Sequence, residues 1–355
     1  MMKGLKKWRF PAMLAALALV LSGCGEKYLS TLRPAGEVGR EQFNLLILTS
    51  LIMLLVILVV VVIYVAALVK FRRSRLGEDH MPQDVEGSHK LEFIWTAIPI
   101  VLLLIIAIPT VYYTYKLGDV SEMEKADEEG NPEHLVVDVT AKLYWWEFEY
   151  PEYGIVTAQE LVVPTDEKVY FNLKAADVKH SFWIPAIGGK MDTNVDNLNK
   201  FYLVFDEESK DLKDGVFYGK CAELCGPSHA LMDFKVKTMN RDDFDGWVAA
   251  MKDTENQVAD KDSSDAGEAA FAQSCIGCHA TSAVGSTGAA GPNMATFGDR
   301  NRVAGYLDHN KENIVNWVQD PQKYKPGNLM PAFDSLSDED LDAIADYLLG
   351  LKVEE

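Results

Sequence analysis

The sequence predicts a multidomain chain: a two-helix transmembrane hairpin, an all-β sandwich and a small all-α domain. Three observations carry this. Two long runs, 42–69 and 93–115, contain no charged residue. Between residues 134 and 237, short β-branched or alternating runs are separated by turn residues. From Gly267 an amphipathic segment leads straight into Cys275-Ile276-Gly277-Cys278-His279. At 355 residues and 48% hydrophobic composition, the chain has material for two or three cores. Its net charge of −19 repels polyanions, so no nucleic-acid partner is expected.

Residues 1–23 begin with Lys3, Lys6, Lys7 and Arg9, continue through the apolar run Ala12–Leu21, and read as a secretory signal. Leu21-Ser22-Gly23-Cys24 resembles the bacterial lipoprotein signal, which implies cleavage before Cys24 and diacylglycerol on its sulfur. A short extracytoplasmic segment, 24–41, leads to the hairpin, 42–116. At about 1.5 Å per residue, each charge-free run exceeds the roughly 20 residues needed to span a bilayer. Pro99 and Pro109 should bend the second helix. Lys70, Arg72, Arg73, Arg75 and Lys90 lie in the connection. The positive-inside rule therefore puts that connection in the cytoplasm and everything after Tyr115 outside.

The predicted β-domain, 117–252, starts with an acidic stretch. Its expected strands are His134–Ala141, Leu143–Tyr150, Ile155–Val163, Lys168–Leu173, Lys200–Phe205, Val216–Lys220 and Met232–Lys237, arranged as an antiparallel sandwich or barrel. A helix begins at Asn240, with aspartates in its first turn. Residues 253–266 read as a flexible hydrated linker, and 267–355 as the second soluble domain. Its last helix, Leu341–Leu351, should pack across its first.

Two stretches carry chemistry. Tyr218–Met232 places Cys221, Cys225, His229 and Met232 within a dozen residues, and His180 lies upstream in H-S-F-W-I-P. Two thiols, two imidazoles and a thioether form a soft sulfur and nitrogen set that suits copper. Two thiolates can bridge two coppers, with one histidine on each metal and Met232 as a weak extra ligand. Loops at one end of the sandwich would bring His180 to the cysteine segment. The second stretch, Cys275–His279, is the attachment signature of c-type haem: two thiols for thioether bonds and an adjacent imidazole for the iron. Haem iron in such domains usually takes a methionine sulfur as its sixth ligand. The candidates are Met294 and Met330, with His309 as a residual alternative. Each of the five cysteines thus belongs to a chemical motif, leaving none for a disulfide framework. No acid–base pair for catalysis is evident, so electron transfer is the expected task.

The pattern H-S-F-W-I-P … C-A-E-L-C-G-P-S-H-A-L-M resembles subunit II of haem–copper cytochrome c oxidases, with its CuA site. The hairpin and the aromatic run Tyr144–Tyr150 agree, over Gln42 to about Met251. The remainder resembles a class I cytochrome c, a fusion known from Bacillus-like bacteria. The resemblance implies a cupredoxin-like sandwich whose copper ligands are His180, Cys221, Cys225, His229, Met232 and the Glu223 carbonyl. It also implies magnesium held by the Glu223 carboxylate, near Asp192, at the border with subunit I. Pro292 should accept the N–H of the axial His279, and the P-G-N-L-M-P loop resembles the family's methionine-ligand loop, favouring Met330. Tyr144 aligns with the family's electron-accepting tryptophan, followed by Trp145 and Trp146. Where many relatives have Pro-Gly-Arg after the position of Asp192, this chain has T-N-V-D-N.

The implied function is a wire. Electrons would pass from an external cytochrome c or a quinol–cytochrome c reductase to the haem, then to the copper pair, and then to subunit I, where oxygen is reduced and protons are translocated. Subunit III would complete the complex. Rival readings are a haem-bearing lipoprotein for copper delivery, a copper-free quinol-oxidase subunit, and a component of a nitrous or nitric oxide reductase.

Overall fold

The structure is a computed structural model that describes residues 11, 13–16, 23, 25–77, 80–81, 84–130, 132–260, 266–285 and 290–353. Cys24 and most of the expected signal segment lie outside the described residues. Two units are distinguished, 40–119 and the remainder.

The first unit contains α1 (Glu37–Lys70) and α2 (His89–Gly118), each longer than its charge-free run. Both are long and apolar enough to cross a membrane, and their central windows are unburied by protein. Apolar residues cover the whole circumference of each helix, which fits a lipid surround better than a soluble core. Pro99 and Pro109 lie inside α2. Lys116 at the end of α2 pairs with Glu41 on α1.

In the second unit, ten strands form two five-stranded sheets. One has the order β3-β2-β1-β5-β8: Ile155–Ala158, Trp145–Tyr150, Val136–Lys142, Lys168–Ala175 and Asn199–Val204. The other has the order β4-β10-β9-β6-β7: Glu160–Pro164, Asp233–Met239, Phe217–Cys221, His180–Ile184 and Gly188–Thr193. The expectation of a purely antiparallel sandwich is corrected, because β1 pairs with β5, and β4 with β10, in parallel. A further correction concerns Ile155–Val163. Gln159, at φ 67°, breaks that run into β3, which pairs with β2, and β4, which pairs with β10. One continuous hydrophobic run therefore serves both sheets.

The two inner faces meet in an aromatic core. Phe182 of one sheet stacks on Phe234 at 4.8 Å between centroids, and Trp146 and Phe148 from the other sheet close at 5.3 and 5.6 Å from Phe234. Aromatic pairs at such spacings add to burial itself. Gly219 sits opposite Phe234 in the β9–β10 register, and a Cβ there would run into the ring.

Asn240 caps α3 (Arg241–Asp260), its side-chain oxygen accepting from the Asp243 N–H at 2.9 Å. The helix continues through the first eight residues of the stretch read as linker; 261–265 lie outside the described residues. The second soluble domain comprises α4 (Ala266–Ser274), α5 (Lys311–Gln319), α6 (Asp338–Gly350) and a small ribbon, β11 (Arg302–Val303) with β12 (Leu307–Asp308). First and last helices cross closely: Phe271 and Tyr347 rings lie 5.4 Å apart, and a Cβ at Gly267 would strike the Ala343 carbonyl.

Candidate metal and haem sites

The copper-type site is built on adjacent strands. His180 is the first residue of β6 and Cys221 the last of β9, and these strands pair antiparallel with Phe182 opposite Cys221. His180 is thus presented by a strand, not by the loop expected from sequence. The remaining ligand candidates follow on the loop after β9 and its short 3-10 turn, His229–Leu231.

The donor atoms form a connected cluster. Cys221 Sγ lies 4.0 Å from His180 Nδ1 and 3.8 Å from Cys225 Sγ. Cys225 Sγ in turn lies 3.7 Å from His229 Nδ1 and 3.9 Å from Met232 Sδ. The Glu223 carbonyl oxygen is 3.3 Å from Cys221 Sγ. At 3.8 Å the two sulfurs are unbonded, so a disulfide does not account for them. All six predicted donors are therefore brought together. His180 and Met232 are fully buried and each cysteine is 9% exposed.

The electrostatics favour a cation between the thiols. Cys221 is pulled well down, chiefly by the hydrogen bond from Cys225, with burial opposing and His180 helping. Cys225 is pushed up by the same neighbour and by burial. Two thiolates at this separation need positive charge to coexist, which is what a soft metal pair brings. Asp177, which sequence reasoning missed, accepts from His180 Nε2 at 2.8 Å. Burial works to raise the Asp177 carboxyl, but hydrogen bonds from His180 and from the Val178 and Leu143 N–H groups hold it low. A carboxylate on the outer nitrogen leaves Nδ1 free to bind metal. Nothing in the local sequence marks Asp177 as such a group.

The haem-type site is a cavity of about 420 Å³. Cys275, Cys278, His279, Met294 and Met330 all line it, whereas His309 does not. His309 instead lies against Phe297, ring centroids 5.3 Å apart. The Pro292 carbonyl accepts from His279 Nδ1 at 2.8 Å, leaving Nε2 available for iron. A Cβ at Gly291 would come within 2.5 Å of the His279 ring, so glycine there keeps space on that side. Arg300 is buried, donates to the Asn293 carbonyl, and has Nε without a partner among the described residues. A buried cation with a spare donor on a cavity wall suits a cofactor that carries carboxylates. The residues fit a covalently attached haem. Met294 Sδ lies 3.8 Å from Arg300 Nη1, and Met330 is held by its own loop, its N–H donating to Asn328 Oδ1 at 2.8 Å.

The aromatic run links the two sites. Tyr144 and Trp145, on the sandwich, also line the haem cavity. Tyr144 is buried, and its hydroxyl fills the space over Gly226 of the cysteine loop, whose φ of +135° and missing Cβ allow that approach. Trp146 lies lower, its Nε1–H donating to the Met232 carbonyl at 3.3 Å and its ring 6.2 Å from His180. Ser228 Oγ, between Pro227 and His229, donates to the Pro326 carbonyl at 2.7 Å. The methionine-bearing loop thus rests directly on the cysteine loop. Glu223 is half-buried, and Asp192 forms an ion pair with Lys179 at 2.6 Å.

A membrane-attached sandwich with a soft-metal cluster, joined to a Cys-x-x-Cys-His domain, defines an electron-transfer protein of the membrane. Known proteins agree. The model "Cytochrome C oxidase subunit II, transmembrane domain" matches residues 35–112, "Cytochrome C oxidase subunit II, periplasmic domain" matches 154–239, and "Cytochrome c" matches 264–352. Cytochrome c oxidase subunit 2 of Bacillus sp. (strain PS3) is 56% identical over 358 residues, covering 100% of both chains. Its namesake in Bacillus subtilis is 53% identical, covering 98% of this chain and 99% of its own. Quinol oxidase subunit 2 of Bacillus subtilis is 34% identical over 247 residues, covering 69% of this chain and 72% of its own. The chain belongs to the cytochrome c oxidase subunit II family, in the form that carries a C-terminal cytochrome c domain.

Proposed function

We propose that this subunit passes electrons from an external carrier, through haem held on Cys275 and Cys278, to a CuA pair, and on to subunit I, where oxygen is reduced to water with proton translocation. When bound, the haem and the copper pair supply the one-electron redox levels. The chain's residues hold and align them. His279 and Met330 would hold the haem iron, with Pro292 fixing the imidazole tautomer. His180, Cys221, Cys225, His229, Met232 and the Glu223 carbonyl hold the coppers, with Asp177 orienting His180. Tyr144 carries the reading: one side chain lines the haem cavity and abuts the cysteine loop. Spanning both places, it closes the gap between two cofactor sites on one chain.

The near-complete burial of His180, Met232 and both cysteines argues against a copper-delivery module, which must expose its ligands for exchange. The intact ligand cluster argues against a copper-free quinol-oxidase subunit. Both helices are proposed to span the bacterial membrane, with the connection inside, lipid on Cys24, and the soluble domains outside. The Glu223 carboxylate is proposed to bind magnesium at the subunit I border, subunit III completing the complex. Its working parts are proposed as the hairpin around 42–116, the sandwich around 117–252 and the haem domain around 267–355. The test is co-purification from membranes with metal analysis. Two coppers and one covalent haem per chain, beside a haem-containing subunit I, are expected; Cys221→Ser should abolish the mixed-valence near-infrared band and spare haem c. An intact complex with haem c and no copper would overturn the reading.

A further inference from the structure

Two buried lysines, neither a metal ligand, meet where the haem-type domain rests on the sandwich. Lys325, in the loop before Met330, is 2% exposed and donates to the Tyr144 carbonyl at 2.8 Å and the Ala304 carbonyl at 2.7 Å. Lys235, on β10 of the sandwich, is also 2% exposed. It donates to the Gly305 carbonyl at 3.3 Å, with its ammonium 3.8 Å from the centre of the Tyr218 ring. Each domain thus sends one lysine to consecutive carbonyls of a single turn.

That turn is held in an unusual shape. Ala304 has φ 51° and Gly305 φ 87°. Ala304 pays the left-handed penalty that glycine escapes, and such strain persists only where surroundings over-determine it. A Cβ at Gly305 would meet the Asp233 carbonyl at 2.8 Å, so glycine lets the turn seat on the sandwich. Other hydrogen bonds run along the same seam: Val156 N–H to the Ala283 carbonyl at 2.9 Å, and Asn301 N–H to the Glu160 carboxylate at 2.6 Å. An ammonium buried this deeply is costly unless its protons are placed, and here they go to carbonyls of both domains.

We propose that Lys325 is a positioning residue: with Lys235 and the Ala304–Gly305 turn, it locks the Met330 loop onto the β1–β2 turn bearing Tyr144, so the haem-type domain works docked and does not swing on a tether. This rests on the functional reading above. Burial lowers Lys325 to about 7 and Lys235 to about 8. A neutral amine keeps two N–H groups, enough for both of the carbonyls on Lys325, so the clamp survives loss of its charge.

The test is hydrogen–deuterium exchange on the purified oxidase complex, wild type against Lys325→Met. Peptides covering 301–306 and 325–330 should exchange slowly in wild type and on the order of tenfold faster in the variant, as expected for losing two buried hydrogen bonds. Peptides from 341–351, in the domain's own core, should be unchanged. Unchanged exchange at the seam in the variant would overturn the proposal. Should the variant not assemble, wild type alone decides. Internal transfer from haem to copper that does not change with added sucrose supports docking; a rate falling in proportion to viscosity shows a swinging domain and overturns it. A protected seam without any haem-to-copper transfer would sink the functional reading alone.

Discussion

At the residue scale, a small number of side chains outside the ligand set decide how the ligands behave. Asp177 fixes the tautomer of His180, and partners of this kind typically contribute 10–100-fold in metal affinity. Asp177→Asn is therefore expected to weaken copper retention by roughly that factor, read by competition with a copper chelator, while leaving haem content unchanged. Lys325 gives a pH signature. Burial lowers it from 10.5 to about 7, with Asp233 opposing and Lys235 assisting. Between pH 7 and 10.5 the unfolded chain keeps a proton that the folded one has released, so stability rises with pH across that window and is flat below it. Wild type should gain melting temperature relative to Lys325→Met between pH 7 and 10 in calorimetry, and a pH-independent difference would contradict this. The candidate ligands were legible because metal chemistry demands particular side chains at short spacing. Asp177, Arg300 and Lys325 were not. Each acts across 3 to about 180 residues of sequence, through contacts that only folding creates.

At the element scale, periodicity found most strands but misjudged how they are used. The run from Ile155 to Val163 reads as one strand because every residue in it is buried. Only the positive φ at Gln159 sends its halves to different sheets. Strands β6 and β7 were hidden for another reason: Gly188 and Gly189 interrupt the β-branched pattern, and H-S-F-W-I carries its signal as a ligand motif. Trp146 sits at the centre of this architecture, between the aromatic core and the Met232 carbonyl. Trp146→Ala should cost about 3–5 kcal/mol in denaturant unfolding, while Trp146→Phe should lose much less. In the haem-type domain, Gly291→Ala would drive a methyl into the His279 ring. Its expected effect is displacement of the His279 imidazole, visible as a changed haem spectrum in purified membranes.

At the scale of the whole molecule, composition foretold three parts but not their relation. The stretch 253–266 is hydrated enough to read as a tether, yet α3 continues through Asp260 and the domain beyond is bonded to the sandwich along a seam. Sequence shows whether a segment can be flexible; whether it is used so depends on contacts made elsewhere. The seam brings the Met330 loop to the cysteine loop, through Ser228 and Pro326. The central claim is therefore one of order: electrons reach the copper ligand set by way of the Cys275–Cys278 domain. Rapid mixing of the oxidised complex with a reduced external donor, followed at the haem c and near-infrared copper bands, tests this directly. Haem c should be reduced first and copper afterwards, and in Cys221→Ser the haem should stay reduced. Copper reduced just as fast in a complex whose Cys275 and Cys278 are both replaced by serine would contradict the account.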